Sequence, residues 1–111
     1  MNDCLFCRII AGALPSERVH EDERAIVIKD RYPKAPVHLL VIPRTHVASL
    51  EDLGALDDAE LAHLLRLLPG VAAKQGLGQG FRTIINTGVG GGQEIFHLHI
   101  HLLGGGRLPG F

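Results

Sequence analysis

The chain has 111 residues, 46% of them apolar and 21% charged, with a formal net charge of −1. That length suits one domain, read as residues 1–111, with a modest core. The near-neutral balance offers no global field for nucleic acid or an anionic membrane, and no apolar run reaches the roughly 20 residues that cross a bilayer. The opening Met1-Asn2-Asp3-Cys4 lacks the basic-then-apolar pattern of a leader. The sequence therefore reads as a cytoplasmic protein with Cys4 and Cys7 reduced.

Residues 3–11 read as a short helix, with Phe6, Ile9 and Ile10 on one face and Gly12 as its stop. Strands over 17–20 and 25–30 flank the acidic turn Glu21-Asp22-Glu23. Tyr32-Pro33-Lys34-Ala35-Pro36 is a loop, because two prolines disfavour helix and ladder alike. His38 to Ile42 reads as a buried strand stopped by Pro43. Asp57 and Glu60 have capping-box spacing, and Leu61, Leu64, Leu65 and Leu68 follow at helical spacing. Pro69-Gly70 predicts a kink, with the helix resuming from Val71 to Gln75. A strand over Phe81 to Asn86, a glycine loop over Gly88 to Gly92, a last strand over Phe96 to Leu103 and an irregular tail complete the chain. Strands with one or two helices and no βαβ alternation point to an α+β fold with an antiparallel sheet. His20, beside the acidic turn, and His63, on the helix flank, read as exposed.

The candidate chemistry lies in His97-Leu98-His99-Ile100-His101. On a strand the three imidazoles share a face about 7 Å apart, while Phe96, Leu98, Ile100 and Leu102 turn to the core. One buried histidine is ordinary, but three at period two are hard to explain as packing. Such a row suits metal ligation by neutral imidazole or nucleotidyl transfer with histidine as nucleophile. Upstream, Asn86-Thr87-Gly88-Val89-Gly90-Gly91-Gly92-Gln93 offers backbone N–H groups unobstructed by side chains, which suits an anionic oxygen. Cys4-x-x-Cys7 has the spacing of a zinc half-site, and His46 and His97 are candidates to complete it.

At these residues the sequence resembles the histidine triad family of nucleotide hydrolases and transferases. The family motif of three histidines at alternate positions, followed by two apolar residues, stands unbroken as His97-Leu98-His99-Ile100-His101-Leu102-Leu103. The resemblance extends over Cys4-Leu5-Phe6-Cys7-Arg8-Ile9-Ile10, the stretch Asp30 to Pro43 with Ala35-Pro36-Val37-His38, Asn86, and Gly91-Gly92-Gln93-Glu94. It looks most like the Hint-type purine nucleoside phosphoramidases, in a zinc-binding bacterial form. The implied fold is a five-stranded antiparallel sheet with one long helix and a short N-terminal helix. The implied reaction cleaves the P–N bond of AMP-like phosphoramidates or aminoacyl-type adenylates through a nucleotidyl-histidine. By resemblance His99 is the nucleophile, His38 orients it, and His101 donates to phosphate oxygens. Asp30 would bind the ribose, and Asn86, Gly92, Gln93 and Glu94 would lie along the phosphate and leaving group. Glu94 stands where animal relatives have serine, and a carboxylate there is expected either to favour a basic amine such as lysine or simply to repel extra phosphates. The resemblance further implies a structural zinc on Cys4, Cys7, His46 and His97, no catalytic cofactor, and a homodimer with the long helices at its interface. Animal relatives use a C-terminal tryptophan near the partner's site, whereas this chain has no tryptophan. Two other functions fit the same motif: dinucleoside polyphosphate hydrolysis, and a non-catalytic, zinc-stabilised nucleotide-binding module.

Overall fold

The computed structural model describes residues 3–111, so Met1 and Asn2, the start of the segment read as lacking a leader, lie outside the described residues. Five strands form one antiparallel sheet: β1 (Arg18–Glu21), β2 (Ala25–Lys29), β3 (Val37–Pro43), β4 (Arg82–Ile84) and β5 (Ile100–Gly104). Their spatial order is β1-β2-β3-β5-β4. The apolar run His38 to Ile42 makes β3 the central strand, buried over nearly its whole length. It pairs with β5 from Val37 opposite Gly104 to Val41 opposite Ile100.

The two faces of the sheet hold two cores. On one, Ala25, Val27, Leu39, Val41, Leu98, Ile100 and Leu102 meet Leu64, Leu68, Val71 and Ala72 from the helices. On the other, Ile26, Ile28, Leu40 and Ile42 meet Phe6 and Ile9 of α1 (Leu5–Ile10). The helix α1 starts on Cys4, whose Sγ accepts the Cys7 N–H at 3.4 Å. At its other end Arg18 Nη2 donates to the Ile9 carbonyl at 2.6 Å.

The central helical stretch bends, as the Pro69-Gly70 pair suggests, and runs as α2 (Asp58–Arg66) and α3 (Leu68–Lys74). Pro69 supplies no N–H and its ring crowds the Leu65 carbonyl, so the helix breaks at Leu67. Little bonding is lost, since Leu67 N–H reaches His63 O and Val71 N–H reaches Leu67 O, both at 3.1 Å. The capping box closes in both directions, with Glu60 N–H on Asp57 Oδ1 at 2.7 Å and Asp57 N–H on Glu60 Oε1 at 3.1 Å. Leu64 and Leu68 are buried, but Leu65 is 59% exposed, so the apolar face is narrower than its leucines suggest.

Two expectations are corrected. The last strand starts at Ile100, not Phe96, because residues before it bond elsewhere: Leu98 N–H donates to Val47 O at 2.8 Å. Phe96 accordingly misses the core and is 44% exposed. His20 and His63 are half-buried, not exposed: each places Nε2 2.7 Å from the same oxygen, Oδ2 of Asp22. The other oxygen accepts the Arg24 and Ala25 amides at 2.8 and 2.9 Å. Burial works against ionisation of Asp22, but His20, the Arg24 amide, His63 and the Ala25 amide outweigh it and hold the carboxyl well below the usual carboxylate range. The cluster ties the β1–β2 turn to α2. Among the described residues no helix is long and apolar enough to cross a membrane.

Candidate active site and metal cluster

The alternation of side chains runs back from β5 through the irregular residues before it. Leu98, Ile100 and Leu102 enter the core under the helices, while His97 and His99 turn to the α1 face, where each packs against Phe6. His97 and His99 are buried and His101 is half-buried. Backbone groups decide which nitrogen of each ring carries hydrogen. Nε2 of His97 lies 2.8 Å from the Pro43 carbonyl, which can only accept, so Nδ1 keeps the lone pair. In His99 the order is reversed: Nδ1–H donates to the His97 carbonyl at 2.8 Å and Nε2 keeps the lone pair. The Lys34 amide donates to Nδ1 of His38 at 3.0 Å, so Nε2–H of His38 donates to Nδ1 of His101 at 2.9 Å. His101 therefore holds its hydrogen on Nε2, and His38, expected to orient His99, bonds His101 instead, while the His97 carbonyl holds the His99 ring.

Among the described residues every buried side-chain nitrogen or oxygen has a hydrogen-bond partner. Neither Nε2 of His99 nor Nε2 of His101 has one, so both retain an opening to solvent. The site thus presents one bare lone pair and one N–H donor on rings whose centroids are 5.0 Å apart. Burial pushes His99 and His38 below the ordinary histidine value. Burial, followed by the neighbouring His99 and His38, pushes His101 down to about 4. Burial likewise takes His97 to about 4. Neutral rings at pH 7 are what a nucleophile or a metal ligand requires.

Asp30 stands beside this network, with Oδ2 3.4 Å from Nε2 of His38 and Oδ1 accepting the Tyr32 N–H at 2.8 Å. The glycine loop is less open than its sequence suggests. It forms a 3₁₀ turn, Val89–Gly91, in which the Gly91, Gly92 and Gln93 amides donate to loop carbonyls and the Gly88 amide donates to Oε1 of Gln93. Those four N–H groups are spent within the loop. Gln93 is buried, with Nε2 on the Ala48 and Ile95 carbonyls at 2.7 and 3.0 Å. Asn86 braces the same loop through Nδ2 on Gly91 O at 2.8 Å. Gly92 closes the turn at φ +83°, where a side chain would be strained. Glu94 is exposed and lines an open cavity of about 470 Å³ with Asp3, Cys4 and His46.

Cys4, Cys7, His46 and His97 converge at the end of the row. One donor atom from each lies within 4.8 Å of all the others. Nδ1 of His97 is 3.3 Å from Cys4 Sγ, 3.5 Å from Cys7 Sγ and 3.0 Å from Nδ1 of His46, and Cys7 Sγ is 3.4 Å from Nδ1 of His46. Tetrahedral ligands at zinc bond lengths stand about 3.3 to 3.8 Å apart, so the donor spacing fits a small tetrahedral ion. The outer nitrogen of His97 donates to a carbonyl, as metal-bound histidines commonly do. The four residues form a candidate metal-binding cluster. Burial pushes the Cys4 thiol up.

Known proteins share this fold. A family model described as scavenger mRNA decapping enzyme C-terminal binding matches residues 3–107. An uncharacterised HIT-like protein of Chlamydia trachomatis is 49% identical over 104 residues, which cover 94% of each chain. The chain belongs to the histidine triad family. Protein HitA of Neisseria gonorrhoeae is 45% identical over 94% of this chain and 97% of its own. The solved HIT family hydrolase of Legionella pneumophila superposes with a TM-score of 0.92 at 41% identity, covering 96% of both chains.

Within this HIT chain the structure brings together the histidines, Asp30 and the four metal-cluster residues that the sequence singles out. Three contributors escape sequence reasoning. The Lys34 amide and the Pro43 carbonyl are backbone groups and have no residue signature. Phe6 reads only as a core residue, although its ring stands edge-on to His99 at 5.0 Å.

Proposed function

We propose that the protein hydrolyses purine nucleoside 5′-phosphoramidates through a covalent nucleotide on His99. The observation that carries this reading is the lone pair on Nε2 of His99, reachable from solvent and kept unprotonated by a bond to backbone on the far side of the ring. Nε2 attacks the α-phosphorus, the P–N bond to the substrate amine breaks, and the departing amine takes a proton from water. The imidazole becomes cationic when it bears phosphorus, and Nδ1–H pointing at the His97 carbonyl stabilises that charge. Nε2–H of His101 donates to a phosphate oxygen. Water then displaces His99, and the products are the nucleoside monophosphate and the free amine, with protons in balance. Dividing the displacement into two steps is the logic of covalent catalysis.

Asp30 is proposed to accept from the ribose hydroxyls, since a carboxylate has more acceptor sites than the Tyr32 amide uses. Asn86, Gly92 and Gln93 are proposed to shape the wall along the phosphate, and Glu94 to face the leaving amine. Zinc on Cys4, Cys7, His46 and His97 would fasten α1 to the sheet and supply no chemistry. A homodimer is consistent with exposed Leu65 on α2 and with β4 lying at the edge of the sheet.

The test is a panel of adenosine and guanosine phosphoramidates with lysyl and neutral amines, beside a diadenosine polyphosphate, assayed with the parent and His99→Ala. The expected result is P–N cleavage by the parent, none by the variant, and a nucleotide mass on the His99 peptide after acid quench. Faster turnover of the lysyl compounds, lost in Glu94→Ser, is expected from the carboxylate. Preference for the polyphosphate, or tight nucleotide binding with no turnover, would overturn the proposal.

A further inference from the structure

The metal cluster and the proposed nucleophile are joined by two separate contacts. The first runs through His97 itself. Its ring reaches the cluster through Nδ1 and is fixed behind by the Pro43 carbonyl, while its own carbonyl holds Nδ1–H of His99. The second runs through Phe6, which lies on α1 between Cys4 and Cys7. Phe6 is 2% exposed, and its ring is edge-on to both imidazoles: 5.9 Å and 79° to His97, 5.0 Å and 78° to His99. An edge-on aromatic contact at such separations has a preferred angle, so it restricts rotation of the ring it meets.

The helix that carries Phe6 is only six residues long. A helix so short does not hold its place by its own hydrogen bonds. Its position depends on Phe6 and Ile9 packing against Ile26, Ile28, Leu40 and Ile42, and on what anchors its ends. Arg18 bonds the Ile9 and Ile10 carbonyls at one end, and Cys4 and Cys7 join the cluster at the other.

We propose that Phe6 is a positioning residue for His99, set in place by a metal ion on Cys4, Cys7, His46 and His97. The ion fixes α1, α1 fixes Phe6, and Phe6 together with the His97 carbonyl keeps the His99 ring turned with Nε2 toward the substrate. This rests on the reading of His99 as the nucleophile. A metal of purely structural character thereby sets the geometry of a reaction in which it takes no part.

The experiment compares three proteins: the Zn²⁺-loaded parent, the same protein stripped with a strong chelator, and Zn²⁺-loaded Phe6→Leu. Leucine keeps the apolar volume but lacks the flat ring edge. Histidine ¹⁵N spectra give the His99 tautomer, and steady-state kinetics with an adenosine phosphoramidate give kcat and KM separately. In the loaded parent His99 shows one tautomer, protonated on Nδ1. In the stripped protein and in Phe6→Leu its signals shift toward an average of both tautomers. Loss of alignment is worth on the order of a 10-fold fall in kcat, with KM within about 2-fold. Re-added Zn²⁺ restores the stripped parent and leaves Phe6→Leu impaired.

A merely structural role would lower thermal stability and leave the His99 signals where they are in the parent. That result in both altered proteins overturns the proposal, as does failure of the four residues to bind Zn²⁺. If stripping unfolds the chain, the loaded Phe6→Leu protein decides the matter alone. If the tautomer shifts as described but the loaded parent turns over no phosphoramidate, the positioning link stands and the nucleophile reading falls.

Discussion

His38→Leu removes the middle of the chain that sets the hydrogen on His101. Leucine is close to histidine in volume, so the main loss is polar. The Lys34 amide loses its acceptor at 3.0 Å and Nδ1 of His101 loses its donor at 2.9 Å. A buried group left unsatisfied costs about 1–3 kcal/mol. Lys34 is exposed and His101 half-buried, so water can reach both and each cost falls near the low end. The sum is about 2 kcal/mol, which for a chain of this size lowers Tm by roughly 8–12 °C. The kinetic effect has a different source. Without His38, nothing in the network fixes the hydrogen of His101 on Nε2, and the proposed phosphate donor is present only part of the time. Losing one aligned donor outright costs about 100-fold or more in kcat, so partial loss should cost about 10-fold. Calorimetry and initial rates on an adenosine phosphoramidate measure the two effects. His38→Gln can still donate to His101, and is expected to recover most of kcat while leaving the Lys34 amide without its ring acceptor. A His38→Leu enzyme with parental kcat, or a glutamine variant no better than leucine, would refute the tautomer argument.

Two further perturbations test other parts of the molecule. His101, held at about 4 against an ordinary 6.5, binds its proton more weakly in the folded chain than in the unfolded one. Its neutral form supports the fold fully above pH 6.5, and that support is lost as pH falls from 6.5 towards 4, by on the order of 3 kcal/mol. Urea unfolding across that range, with an NMR titration of His101, checks it, and a folded-state midpoint near 6.5 would defeat the reasoning. Asp22→Ala deprives His20, His63 and two backbone amides of their shared acceptor. It is expected to lower stability by about 2–3 kcal/mol and leave kcat within about 2-fold, because the cluster lies at the β1–β2 turn and α2, away from the histidine row. An unchanged urea midpoint would show that the cluster contributes nothing.

Much of the site could be read from the sequence because it is written in period two. Alternation in His97 to Leu103 predicts opposed faces, and the faces are as expected even where the regular strand has not begun. Cys4, Cys7, His46 and His97 could be grouped because metal ligands are few in kind and their spacing is restrictive. The Asp22 cluster could not, since His63 meets Asp22 across 41 positions through the packing of α2 on the sheet. The glycine loop misleads for a related reason. Glycine announces that backbone N–H groups are uncovered, but says nothing about whether neighbouring carbonyls will claim them first. Leu98 shows the same limit in the sheet: a strand pattern gives the direction of side chains, while strand length depends on whether the backbone bonds the neighbouring strand or, as Leu98 N–H does with Val47 O, something else.

The proton map of the histidine row is drawn by the main chain. An amide at Lys34 and carbonyls at Pro43 and His97 determine which nitrogen of four rings is basic. Alanine scanning would pass over Lys34 and Pro43, or credit their effects to packing, because each substitution keeps the amide or carbonyl that does the work. The Lys34 side chain adds a second influence, since its charge helps to keep His38 neutral, whereas the hydrogen on His38 is placed by the amide alone. An amide-to-ester replacement at Lys34, made by semisynthesis, would delete one atom-sized instruction and reach a layer of the candidate active site that the genetic code cannot edit.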